Sequence, residues 1–199
     1  MVPRPDVSEE RKAQILDTAE EVFASKGFDG ANMDLIATNA GLSKGAVYWY
    51  FKKKDDIIGA LLDRVFRRSL NSLRAIASQQ GSPRARLIRI GEQISSDYQG
   101  MERLMPIALE FYAIALRRKS IRKHLGGLYD ELLSILTPVI EQGIQAGELA
   151  PAEPRRAATL LIASYEGLGV VWALSPKLVE WRTHGPLMAE VLVRGLEQR

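Results

Sequence analysis

The chain has 199 residues and a formal net charge of +3, from 27 Lys and Arg against 24 Asp and Glu, and it is long enough for a small domain joined to a larger one. Its hydrophobic share of 46% and its ordinary Gly and Pro contents are typical of a globular protein and exclude disordered and collagen-like chains. The absence of cysteine excludes disulfides, thiolate metal sites and cysteine nucleophiles.

The first residues show no apolar run that could act as a secretory signal. The most apolar stretches, 104–116 and 160–174, are interrupted by Glu110 and Glu166, and they fall short of the roughly 18–20 apolar residues that a membrane span needs. We therefore expect a cytoplasmic protein with no membrane contact.

Apolar residues recur every three or four positions, which predicts an all-α protein of about nine helices. The first helix runs from about Ser8 to Lys26 and stops at Gly27. Asn32 is expected to cap a short second helix that ends before Gly41. The third helix is expected to start at Ser43 and to end near residue 50.

Longer helices follow, separated by Gly, Pro and polar breakers. Their expected ranges are 54–79, 84–99, 102–116, 121–146, 154–173 and 184–197. Pro106 and Pro138 fall inside these ranges, so each is either a first-turn proline or a kink. These ranges divide the chain at 53/54, into a region of three short or medium helices over 8–53 and a larger helical region over 54–199.

Residues 33–54 have the pattern of a helix-turn-helix, whose second helix enters the major groove of DNA. Gly41 can adopt the positive φ that ends the first of the two helices, and Ser43 can cap the next. Ala37 is small where two helices cross, and Leu42 would anchor the turn in the core.

Val47 and Phe51 are four residues apart and are expected to face inward, together with part of Trp49. The outward side of the third helix would then carry Lys44, Gly45, Ala46, Tyr48, Trp49 and Tyr50. Residues 1–54 sum to zero charge, but residues 43–54 contain four lysines and no acid. Aromatic side chains beside lysines suit a surface that contacts thymine methyls and phosphates.

The segment from about Arg11 to Asp63 resembles the TetR family of bacterial transcriptional regulators. The resemblance rests on FASKGF at 23–28, Ile36-Ala37, AGLSKG at 40–45 and VYWYFKKK at 47–54. Farther along, it extends only to length, helix number and residues 165–168. It implies a DNA-binding domain over 8–53 and a larger helical domain over 54–199, which binds a small-molecule effector and forms a dimer. The homodimer would read two half-sites of a palindromic operator, and the effector would change the spacing of the two DNA-binding domains.

Carried over by position, the resemblance implies that Lys54 holds a phosphate and that Asn32 caps the second helix beside the DNA backbone. The residues expected at the DNA are Asn32, Ser43, Lys44, Gly45, Ala46, Tyr48, Trp49, Tyr50 and Lys54. Asp34 departs from the pattern, because some relatives have a basic, base-contacting residue there. It either accepts from cytosine N4 or is a helix-start charge favoured by the dipole.

Apolar and acidic residues of the larger domain form the expected effector site, which would suit a lipophilic or cationic molecule. They are Phe66, Met101, Met105, Glu110, Tyr112, Tyr165 and Glu166. Met101, Met105 and Tyr112, with Phe111, could instead fill the core. Glu110 needs a partner because an unpaired buried charge is costly, and either a cationic effector or an arginine such as Arg103 would serve.

The last two predicted helices carry small and apolar residues suited to a four-helix dimer interface. We expect Ala158, Leu161, Tyr165, Leu168, Trp172, Leu187 and Val191 there. Packing within one chain could use the same residues.

The function that follows is a ligand-responsive transcriptional regulator, with repression as the usual role. The alternative is an architectural DNA-binding protein that responds to no effector. No enzyme activity, cofactor or metal site is expected, because the sequence has no clustered histidines, nucleophile elbow or glycine-rich phosphate loop.

Overall fold

The computed structural model describes residues 7–101 and 105–197. Over these residues it contains nine α-helices, a short 3-10 turn at Pro176–Leu178 and no strand, which confirms the predicted fold class. The helices are α1 (Val7–Gly30), α2 (Met33–Asn39), α3 (Lys44–Tyr50), α4 (Lys54–Ala77), α5 (Pro83–Gly100), α6 (Met105–Arg117), α7 (Lys119–Gln145), α8 (Pro154–Leu174) and α9 (Trp181–Arg194).

Most helix ends lie within two residues of the sequence prediction, and the larger differences are in α1 and α9. α1 is kinked rather than ended at Gly27, which has φ 67° and ψ 173°, and a further turn reaches Gly30. α9 begins at Trp181, three residues before the predicted start. The predicted start of α6 at Glu102 lies outside the described residues. Pro106 is in the first turn of α6, whereas Pro138 lies in the interior of α7.

The described chain forms two compact units. The N-terminal unit extends to Val65 and includes Pro106–Leu125, and the C-terminal unit comprises Phe66–Met105 and the chain from Gly126 onward. α4 and α7 each run from one unit into the other, so the compact units do not follow the expected division at 53/54. That division into functional domains stays a prediction.

Aromatic rings build part of the core of the N-terminal unit. The ring of Phe23 lies 6.0 Å from that of Phe28 and 5.9 Å from that of Phe111, between centroids. α4 is tied to α1 by Arg64, whose guanidinium contacts Asp17 and Glu20, each at 2.5 Å. α1 therefore packs against both α4 and α6 within this unit.

The helices of the C-terminal unit approach closely at glycines. A Cβ at Gly91 would lie 2.4 Å from the hydroxyl oxygen of Tyr165, and one at Gly185 would lie 2.0 Å from Ser95 Oγ. The Tyr165 hydroxyl donates to the carbonyl oxygen of Gly185 at 3.2 Å. Burial raises the pKa of Tyr165 to about 12. These contacts lock α5, α8 and α9 together.

Candidate nucleic-acid interface

Local capping fixes the turn between α2 and α3. Gly41 has φ 64°, in the left-handed region that glycine favours. Ser43 Oγ accepts the backbone N–H of Ala46 at 3.2 Å and so caps α3. Asn32 Oδ1 accepts the backbone N–H of Leu35 at 2.8 Å and caps α2. The predicted structural roles of Gly41, Ser43 and Asn32 are confirmed.

Two inward residues set the rotation of α3. Val47 is fully buried and Phe51 is 7% exposed, as predicted, whereas Tyr48 is 42% and Trp49 is 77% exposed. Two positions correspond to about 200° around an α-helix, so Trp49 points away from the side that Val47 buries. The expectation that part of Trp49 joins the core is wrong. Tyr50, about 300° from Val47, turns back toward the core and is half-buried.

The start of α3 is open to solvent. Ser43, Lys44 and Gly45 are exposed, and Ala46 is half-buried. A Cβ built on Gly45 would meet no atom of the described structure within 4 Å. Packing within the protein therefore does not require glycine there, and the missing side chain leaves room for a close approach by DNA.

The lysine run after α3 is held at the start of α4. Asp56 Oδ2 accepts the backbone N–H groups of Lys52 and Lys53 at 3.1 and 3.2 Å. Lys52 Nζ also donates to the carbonyl oxygen of Tyr48 at 2.8 Å and lies 6.0 Å from the ring centroid of Trp49. The exposed rings and the lysines thus form one continuous surface.

Lys54 has internal partners that sequence reasoning did not anticipate. Its ammonium donates to the carbonyl oxygens of Phe28 and of Ala31, the latter at 2.7 Å, and lies 3.9 Å from the ring centroid of Phe28. Burial lowers the pKa of Lys54. Two of its three N–H donors hold the segment 28–31, which runs from the last turn of α1 toward α2. These contacts indicate a positioning role for Lys54, and its expected phosphate contact stays a prediction.

A surface groove of about 280 Å³ joins residues of α2, α3 and α4, and its lining includes Asn32, Asp34, Tyr48 and Lys54. Asp34 pairs with Lys44, with Oδ2 and Nζ 2.5 Å apart. Asp34 also lies in the first turn of α2, where the helix dipole favours a negative charge. A contact with cytosine stays a prediction.

Glu110 has a protein partner in the N-terminal unit. Its Oε1 accepts the backbone N–H of Phe28 at 2.6 Å, at the kink of α1. This partner is neither of those considered from the sequence, where an effector or Arg103 was named, and Arg103 lies outside the described residues. The segment after Gly27 is thus held through its N–H by α6 and through its carbonyls by Lys54.

The expected effector residues divide between the two units. Glu110 and Tyr112 belong to the N-terminal unit, and Phe66, Met101, Met105, Tyr165 and Glu166 belong to the C-terminal unit. Met105 and Tyr165 are 5% and 4% exposed, so they pack in the core. Phe66, Met101 and Glu166 are half-buried.

Sequence reasoning missed an aromatic cluster in the C-terminal unit. Tyr98 stacks on Trp181 at 4.4 Å between ring centroids, and Trp172 meets Trp181 edge-on at 5.9 Å. Burial, followed by the charge of Glu166 and a hydrogen bond to it, raises the pKa of Tyr98. The sequence prediction left Trp181 outside the last helix, because that helix was predicted to begin at residue 184 and α9 begins at Trp181.

The expected dimer residues differ in their exposure and fall into three groups. Ala158 and Tyr165 are 0% and 4% exposed and belong to the core of their own chain, so their prediction as interface residues is wrong. Leu187 and Val191 are each 59% exposed. Leu161, Leu168 and Trp172 are half-buried. Exposed apolar residues of α8 that were not predicted are Leu160, Val170, Val171 and Leu174.

Comparison with known proteins identifies the family. Residues 15–61 match the model of the tetR family of bacterial regulatory proteins, and residues 83–192 match that of the C-terminal part of BetI-type transcriptional repressors. The second match alone covers more than half of the chain.

Individual relatives agree over most of their length. The HTH-type transcriptional regulator TtgR of Pseudomonas putida is 26% identical over 87% of this chain and 85% of its own. The fatty acid metabolism regulator protein of Bacillus subtilis is 23% identical over 94% and 95%. The structure of FadR from Bacillus subtilis in complex with stearoyl-CoA superposes with a TM-score of 0.80 and 23% identity, over 93% of this chain and 99% of that one.

The capped turn, the outward aromatic and basic face of α3 and the two family matches agree with one another. The chain belongs to the TetR family of bacterial regulatory proteins, and it is a ligand-responsive DNA-binding transcriptional regulator.

Proposed function

We propose that this regulator is a cytoplasmic repressor, which binds a palindromic operator as a homodimer and leaves it when a small-molecule effector binds. The observation that carries the proposal is the exposed face of α3, where Tyr48 and Trp49 stand out beside lysines while Val47 alone is buried. Trp49 is 77% exposed beside a second exposed ring, that of Tyr48, and adjoining exposed apolar side chains indicate a contact surface.

This face has the chemistry of a major-groove reader. The N-terminus of α3 offers Lys44 for base acceptors and Gly45 for close approach, and the rings of Tyr48 and Trp49 can contact thymine methyls. Lys52 and Lys53 are exposed and follow directly, so they can neutralise phosphates on either side.

An apolar stripe supports the dimer. On α8 it comprises Leu160, Val171 and Leu174, and on α9 Leu187 and Val191, each more than 40% exposed. Residues 160, 171 and 174 recur at helical spacing and share one side of α8. A second copy of the chain carries the same stripe and could cover it, because a two-fold interface is self-complementary.

The length and composition of α8 would also allow it to cross a membrane, so the proposed dimer needs its own test. Leu174→Glu and Leu187→Glu are expected to convert a dimer to a monomer in light scattering and to weaken operator binding by more than about tenfold. Leu116→Glu is the matched control, because Leu116 is 78% exposed on α6. Recovery of the wild type in a membrane pellet, or unchanged dimers in both stripe variants, would contradict the interface.

We propose a lipophilic effector that binds in the C-terminal unit, with Phe66, Met101 and Glu166 among its contacts. The support is the aromatic cluster of Tyr98, Trp172 and Trp181 and the stearoyl-CoA bound by the FadR relative. α4 continues from this unit into the N-terminal unit and begins at Lys54, so a shift of α4 would move the segment 28–31 that Lys54 holds.

The direct test of DNA reading uses an operator selected by the wild-type protein from random duplex DNA. Tyr48→Ala combined with Trp49→Ala is expected to lower affinity for that operator by about tenfold or more without lowering stability. Leu116→Ala removes an equally exposed apolar side chain from the same unit and serves as the control. Equal operator affinity in the double variant and the wild type would overturn the assignment of α3. An operator complex that no lipophilic compound shifts would favour the architectural alternative.

A further inference from the structure

We infer that Asp34 is a specificity-determining residue that acts through Lys44. Its carboxylate holds the lysine ammonium in the seam between α2 and α3, so that Lys44 faces base edges in preference to phosphates. The inference rests on the proposed function, because it concerns the same DNA-reading surface.

The geometry suits this role. Asp34 is the second residue of α2 and Lys44 the first of α3, and their charged atoms are 2.5 Å apart across the turn that Gly41 shapes. An ammonium has three N–H donors, so the bond to Asp34 leaves two. Guanine presents two adjacent acceptors, O6 and N7, in the major groove, and lysine is a common partner for them.

Electrostatics supply the discrimination. An unpaired lysine at this position would attract the phosphates of any sequence, which is the main source of non-specific affinity. The carboxylate of Asp34 neutralises that charge and repels phosphates. The side chains of Lys44 and Asp34 are 66% and 52% exposed, and an ion pair this exposed is weak enough to adapt when a guanine is present. Asp34 therefore lowers non-specific binding more than operator binding.

The test is a double-mutant cycle of wild type, Asp34→Asn, Lys44→Gln and the double variant. Kd is measured on the selected operator and on a scrambled duplex over a range of salt concentrations. Asp34→Asn is expected to lower the ratio of scrambled to operator Kd by about tenfold, mainly through tighter binding to the scrambled duplex. The log–log salt slope on that duplex is expected to steepen by about 0.9 per subunit.

In the Lys44→Gln background, Asp34→Asn is expected to change the ratio by less than about twofold, because the partner through which Asp34 acts is gone. Glu21→Gln removes a like charge from the exposed side of α1 and is expected to leave the ratio unchanged. An unchanged ratio in Asp34→Asn, or an equal change in both backgrounds, would overturn the inference. The proposed function would still stand if the wild type bound the operator selectively. Failure of the wild type to select any sequence would overturn both.

Discussion

The helix-turn-helix segment and the C-terminal unit are built by different means. In residues 32–54 the side chain that caps α2 or α3 lies three residues from the amide it accepts, and the exposed face follows from rotation about one short helix. In the C-terminal unit, Tyr98 of α5 meets Trp181 of α9, and Gly91 makes room for Tyr165 of α8. The DNA-reading surface is thus a local product of the chain, whereas the proposed effector unit depends on packing between distant helices.

The N-terminal unit also depends on contacts between residues far apart in the sequence. Replacing Lys54, which makes such contacts, is expected to have the largest effect. Lys54→Met keeps the length of the side chain but leaves the carbonyls of Phe28 and Ala31 without their charged donor. We expect the free energy of unfolding to fall by about 2–3 kcal/mol in urea denaturation, with weaker binding to every DNA sequence.

Lys53→Met is the matched control for this change, because Lys53 is exposed and its ammonium is expected to contact only DNA phosphates. It is expected to weaken DNA binding with unchanged stability. If Lys54→Met also weakened DNA binding without lowering stability, Lys54 would be a phosphate contact and the positioning role would be refuted.

Glu110 gives the next largest effect. Glu110→Ala leaves the backbone N–H of Phe28 unpaired, so we expect a loss of about 1–3 kcal/mol in stability and weaker operator binding. Glu110→Gln keeps an acceptor oxygen and is expected to recover at least part of both losses. Unfolding curves and operator titrations of the two variants measure this, and identical behaviour of Ala and Gln would show that the bond to Phe28 does not hold the segment.

The smallest effect is expected in the C-terminal unit. The hydroxyl of Ser82, followed by the backbone N–H of Arg84, lowers the pKa of Glu148 from its ordinary value of 4.5. A lowered carboxyl pKa stabilises the fold above that value, and the stabilisation is lost as the pH falls through the folded-state pKa. Because solvent screens this surface carboxylate, Glu148→Gln is expected to cost only about 0.5–1 kcal/mol at pH 7.

In acid, where the carboxyl of Glu148 is protonated in both the folded and the unfolded state, Glu148→Gln is expected to leave the free energy of unfolding unchanged. Operator affinity is expected to stay unchanged as well. Thermal unfolding across the pH range tests this. A deficit that stayed constant with pH would contradict the charged hydrogen bonds to Ser82 and Arg84.

Features built from local sequence could be predicted, and those built from distant contacts could not. The helices, the caps at Asn32 and Ser43 and the anchors Val47 and Phe51 follow from residue type and helical spacing. The exposure of Trp49 followed from the same spacing but was misjudged, because its size favours burial. The partners of Lys54 and Glu110 come from residues 23 or more positions away, which no local pattern could reveal. Ala158 and Tyr165 show that an apolar helix face does not tell which neighbour will cover it.

The central claim, that the face of α3 with the lysines after it reads DNA, is tested most directly by the salt dependence of operator affinity. Lys52 and Lys53 are exposed at this face and are not paired with an acidic side chain in the described structure. Two phosphate contacts per subunit predict a log–log slope of about −2 per subunit. A slope near zero would contradict the account.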